Sequence, residues 1–162
     1  MKIFSRAAVT TFLALGLIAT PALANPITSP TLGQPVTLAG SLTISVFGLG
    51  TSTCTAVLNG AVTSVGSASV PGVVTFTSGG IAGPTGCSSN NFAYPVVVRT
   101  VSKTLVRVDN LILATPVGNC SKALVDLNYN NATGAATLPT TNMPPCILSG
   151  TLQTLLSQLV IG

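Results

Sequence analysis

The chain has 162 residues with 6 Lys and Arg, 2 acidic residues and neither His nor Trp, so charged residues make up only 5% of it, about a fifth of the share usual in a soluble domain. Without His the commonest general base and metal ligand is missing, which excludes most enzyme classes and any imidazole metal site. The few bases are scattered, so nucleic-acid binding is excluded as well.

Lys2 and Arg6 precede the apolar stretch Ala7 to Ala19, and Ala22-Leu23-Ala24 supplies small residues at a cleavage position. Residues 1–24 therefore read as a secretory signal peptide cleaved after Ala24. The apolar run falls short of the roughly 20 residues that a spanning helix needs, and the same holds for the tail, so no stable membrane span is expected in the mature chain. Removing the signal leaves Arg99, Lys103, Arg107 and Lys122 against Asp109 and Asp126, and four minus two gives a net charge of +2.

Residues 25–39 read as an extended, Pro-containing arm, and residues 40–162 as a single β domain rich in Thr, Val and Ser with Gly, Pro and Asn at its turns. The expected class is all-β: a disulfide-stapled antiparallel β-sandwich or barrel-like domain. Leu42, Ile44 and Val46 alternate with Thr43 and Ser45, the period of a half-buried strand. Cys54 to Leu58 and Ala61 to Thr63 flank Asn59-Gly60, which predicts a hairpin turn. Short strands are expected at Ala68 to Val70 and Val73 to Thr77, followed by a long loop from Ser78 to Asn91 anchored by Cys87. Pro95 to Thr100 and Thr104 to Ala114 suggest a hairpin turning near Ser102-Lys103. Ala123, Val125, Leu127 and Tyr129 predict a strand that Asn130-Asn131 turns back. The tail from Ile147 to Ile161 reads as a strand with an ambiguous end.

Cys54, Cys87, Cys120 and Cys146 are separated by 33, 33 and 26 residues, too widely for the paired spacing of a zinc site. An even count in an exported chain implies two disulfides. Cys54, a strand, Asn59-Gly60 and Cys87 are echoed by Cys120, a strand, Asn130-Asn131 and Cys146. The echo suggests pairing Cys54 with Cys87 and Cys120 with Cys146, although three connectivities are open to the sequence.

A search for chemistry finds little. Asp109 beside Arg107, and Asp126 on a solvent face, read as structural carboxylates rather than a general acid and base. A Ser-Lys dyad at Lys103 is disfavoured because a hairpin turn is where a solvated lysine belongs. Arg99, Lys103 and Arg107 would share a face only on a helix, and the β-branched residues around them argue against one. Asn119-Cys120-Ser121 and Asn131-Ala132-Thr133 match the glycosylation acceptor pattern but also suit turns. No catalytic, cofactor-binding or metal-ligating residue is expected, and no cofactor. A nearly uncharged surface removes the repulsion that keeps proteins apart, so the partners expected are further copies or a hydrophobic surface.

The order of signal peptide, Pro-containing lead-in, first strand at Ser41 to Val46, Cys54 before a hairpin, Cys87, a Pro-containing strand at Ala93-Tyr94-Pro95-Val96, then Cys120 and Cys146 resembles the small exported bacterial proteins called protein activator of alkane oxidation. The resemblance spans roughly Gly40 to Gly150. It implies an exported, non-enzymatic protein, secreted or periplasmic, that promotes bacterial use of alkanes or contact with hydrophobic surfaces, as an extracellular or biofilm-matrix component. The alternative is a pilin-like or matrix-fibre subunit in which the arm completes a neighbour's sheet by strand addition.

Overall fold

A computed structural model describes residues 25–155 and 159–162; the signal-peptide reading lies outside these residues. Eleven strands form in chain order: β1 (Ile27–Ser29), β2 (Pro35–Val46), β3 (Gly50–Ser64), β4 (Val73–Ala82), β5 (Asn91–Phe92), β6 (Val96–Ser102), β7 (Leu105–Thr115), β8 (Gly118–Asn130), β9 (Ala135–Met143), β10 (Cys146–Thr154) and β11 (Val160–Ile161). All pairings are antiparallel, and β2, β3, β4, β6, β7, β8, β9 and β10 pair each with the next in that order. The last of these, β10, pairs with β2 over Cys146↔Val46 to Thr154↔Leu38. The result is an eight-stranded up-and-down barrel, and of the sequence's two expectations the barrel is the one realised. Closure pairs most of the strand edges that an open sheet would leave bare, the β8–β9 seam being joined only at Asn128 to Asn130.

Alternation fills the interior. Along β2, Val36, Leu38, Leu42, Ile44 and Val46 are buried between exposed or half-buried neighbours, while Phe76, Leu113, Val125 and Leu148 enter from other strands. In β7 the buried set changes phase from Val106 and Val108 to Leu111 and Leu113. The phase change sits at Asn110, which adopts a φ of 51°, a left-handed conformation that Asn tolerates better than most residues.

An up-and-down order places all the turns of one kind at one end. The β2–β3, β4–β5, β7–β8 and β9–β10 connections surround one mouth. The opposite end is plugged by β1 and β11, which pair with each other, and Ile27, Leu159 and Ile161 are buried there. The Tyr129 hydroxyl donates to the Leu159 carbonyl, and the Asn131 amide brackets Ile161, donating to its carbonyl at 2.9 Å and accepting from its N–H at 3.0 Å.

Several expectations are corrected. Asn59-Gly60 is not a turn: β3 runs through it, with a bulge against β4 at this point. A Cβ on Gly60 would lie 2.1 Å from the Thr75 carbonyl oxygen, so this glycine serves close strand approach rather than chain reversal. Ala68 to Val70 is no strand but part of a tight turn closed by a Ser67↔Val70 bridge. The loop expected from Ser78 is shorter, since β4 continues to Ala82. Residues 25–39 do not stand apart as an arm, because Pro35 to Ala39 pair with β3, Leu38 and Ala39 pair also with β10, and Ile27 packs into the plugged end. Ala123 is exposed whereas Val125, Leu127 and Tyr129 point inward.

Candidate functional site

Six charged side chains lie among the described residues, all on β6, the β6–β7 turn, β7 and β8; β2, β3, β4, β9 and β10 carry none. On the outer wall Arg107 donates to Asp126 twice, Nε to Oδ1 at 2.6 Å and Nη2 to Oδ2 at 3.0 Å. Arg99 donates to Asp109 across β6 and β7. The sequence reading set Asp109 beside Arg107, whereas the partner is Arg99 on the adjoining strand. The hydrogen bond from Arg107 holds the Asp126 carboxyl below its ordinary value, and Asp126 in turn raises the Arg107 guanidinium. Both carboxylates are thus committed to arginines on an exposed wall. Lys103 lies on the β6–β7 turn at the plugged end, and among the described residues no group of three or more His, Cys, Asp or Glu could hold a metal.

Inside the barrel, Leu38, Leu42, Leu58, Val108, Leu127 and Leu138 help to line an apolar void of about 40 Å³. A dry cavity that accepts benzene is roughly 150 Å³, so this packed core leaves no room for a hydrocarbon guest.

Among the described residues most of the exposed large hydrophobics gather at both ends of the barrel, Leu32, Val65, Val70 and Leu155 at the plugged end, and it is the mouth whose turns carry no charge beside them. Phe47 is 87% exposed, with Leu49, Val117 and Ile147 also among the exposed large hydrophobics, and Pro116, Pro144 and Pro145 are exposed beside them. The β2–β3 turn carrying Phe47 and Leu49 is flanked by two hollows. One, of about 370 Å³, lies between Phe47, Pro144, Pro145 and Ile147; the other, of about 240 Å³, lies between Leu49, Gly86, Asn90 and Pro116. The Phe47 N–H donates to the Pro145 carbonyl at 3.1 Å, joining the β2–β3 and β9–β10 turns. Moving one such exposed side chain from water into an apolar phase is worth roughly 1.5–3 kcal/mol.

Both disulfides brace this end. Cys54 near the start of β3 is bonded to Cys87 in the 83–90 loop, and Asn90 holds the same loop by donating from Nδ2 to the Gly86 carbonyl at 2.6 Å. Cys120 near the start of β8 is bonded to Cys146 at the start of β10. That second link spans a weak place, because β8 and β9 pair only through Asn128, Tyr129 and Asn130 at the plugged end. The pairs are those the repeated cysteine units suggested. What the sequence reading did not single out is the rim itself. Its signal was present in Phe47-Gly48-Leu49 and Pro116-Val117, turn sequences with large apolar groups where polar ones are usual.

The comparison that decides the family is a match between residues 1–160 and the family model described as alkane oxidation protein activator PraA/PraB-like. The chain belongs to this family. No curated protein and no solved structure matches it. Two disulfides are compatible with an extracellular or periplasmic location for this PraA/PraB-like protein.

Proposed function

We propose that this PraA/PraB-like protein is exported and acts without catalysis, promoting bacterial use of alkanes by mediating contact with hydrophobic material, as an extracellular or biofilm-matrix component. The observation that carries the reading is the uncharged apolar mouth, with Phe47 87% exposed at its most prominent turn. Family membership supplies the link to alkanes, and the disulfides and low charge suit a secreted protein. Deleting the gene tests it: growth on liquid alkane slows, growth on a soluble carbon source is unchanged, and unaltered alkane growth would refute the reading.

A second reading, a pilin-like or matrix-fibre subunit, draws on the short β8–β9 pairing, since the strand edges above Asn128 could accept a strand. Pro139 in β9 weighs against it, because proline brings no N–H to a ladder. So does the arm proposed to complete a neighbour, which is engaged with β11 in its own chain. Electron microscopy of the purified protein distinguishes the two: fibres support the second, dispersed particles the first.

A further inference from the structure

Resting on the hydrophobic-contact reading above, we infer that the mouth docks end-on against a liquid hydrocarbon surface, with Phe47, Leu49, Val117 and Ile147 entering the oil and the plugged end held in water. Five features of the structure lead there. The void inside the barrel, about 40 Å³, is too small to take up the hydrocarbon, so contact is external. The four connections around the mouth contain no charged residue, so docking strips no ion of its water, a cost that disfavours any charged surface from entering an apolar phase.

Charge is placed to suit the same orientation. Lys103 sits on a turn at the plugged end, and Arg107 and Asp126 pair with each other in the half of the wall toward it; Lys122 lies on the wall nearer the mouth, below the turns rather than on them. An uncharged hydrocarbon phase matches the mouth, whereas an anionic headgroup or an acidic protein would find no cation there. The mouth is also held in place before contact: disulfides fix the 83–90 loop to β3 and the head of β8 to β10, so little conformational entropy is lost on docking. The hollows beside Phe47 and Leu49 give alkyl chains a concave seat between the turns.

The exported, disulfide-bonded protein is titrated onto hexadecane droplets in buffer, and the free fraction is measured. Three proteins are compared: the unaltered chain, a double variant Phe47→Ser with Leu49→Ser, and a control pair Val70→Ser with Leu155→Ser. The control residues are exposed apolar groups at the plugged end, 53% and 61% accessible, so all variants change exposed positions and retain the barrel. The inference predicts that the mouth variant adsorbs about tenfold more weakly or worse, while the control stays within about twofold of the unaltered chain. Equal adsorption of the mouth variant, or an equal loss in the control, would overturn it while leaving the hydrophobic-contact reading in place. Failure of the unaltered protein to adsorb would overturn both. A mouth variant that instead dissociates a dimer during gel filtration without oil would assign the mouth to a second copy and also overturn it.

Discussion

Gly40 and Gly150 lie two register positions apart on the β2–β10 junction that closes the barrel, Gly40 opposite Leu152 and Gly150 opposite Leu42. A Cβ on Gly40 would lie 2.1 Å from the Thr151 carbonyl oxygen, and one on Gly150 would lie 2.2 Å from that of Ser41. Two glycines let the first and last barrel strands approach at a sharp bend where side chains would hold them apart. Gly150 also adopts a φ of +153°. Replacing Gly150 by Ala is expected to destabilise the protein by about 1–3 kcal/mol or more, the cost of overpacking. Gly80→Ala, where nothing lies within 4 Å of the added Cβ, is expected to stay within about 0.5 kcal/mol. Urea unfolding of both variants checks the contrast.

The disulfide pairs make a second prediction. Cys54–Cys87 and Cys120–Cys146 close sequence separations of 33 and 26 residues, for which chain entropy gives about 3 to 4 kcal/mol each. Replacing Cys120 and Cys146 together by Ala should lower stability by about that amount. Hydrogen exchange should then accelerate first in the upper parts of β8 and β9, which do not pair with each other. Denaturant unfolding and amide exchange measure the two effects.

Tyr129 links stability to pH. Its hydroxyl donates to the Leu159 carbonyl in the plug, and burial pushes its pKa from 10.0 up to about 12. The unfolded chain ionises near 10 and the folded one near 12, so the folded state binds the proton more tightly. Its stabilising effect is whole below pH 10 and is lost as pH rises toward 12. Thermal unfolding across that range should show falling stability in the unaltered chain and a flatter profile in Tyr129→Phe, which starts from a lower value because Leu159 has lost its donor.

Local patterns were legible in the sequence and long-range ones were not. Leu42, Ile44 and Val46, and Val125, Leu127 and Tyr129, declared their strands because a period of two is written into neighbouring residues. The pairing of β2 with β10, or of Ile27 with Ile161, joins segments more than 100 residues apart, and no local signal records it. Asn59-Gly60 misled for a definite reason: the dipeptide that favours a turn here provides a bulge and a close crossing with β4. At the candidate site the scarcity of charge pointed outward to the surface. Only the barrel order, however, gathers Phe47 and Val117 from two separate turns and Ile147 from the start of β10 onto one mouth.

The carboxylates yield a negative prediction. Asp109 and Asp126 each accept from an arginine on the outer wall, and exposed pairs of this kind add little to stability. Asp109→Asn with Asp126→Asn should leave secretion, folding and growth on alkane close to those of the unaltered protein. Circular dichroism of the exported variant together with growth curves checks it.

The most direct measurement of the central claim is complementation of the deletion strain on liquid alkane with Phe47→Ser and Leu49→Ser, monitoring export and growth on a soluble carbon source in parallel. An uncharged mouth that contacts hydrophobic material predicts an exported, folded variant that fails to restore growth on alkane yet supports normal growth on the soluble source. Full restoration by that variant at normal export would contradict the account.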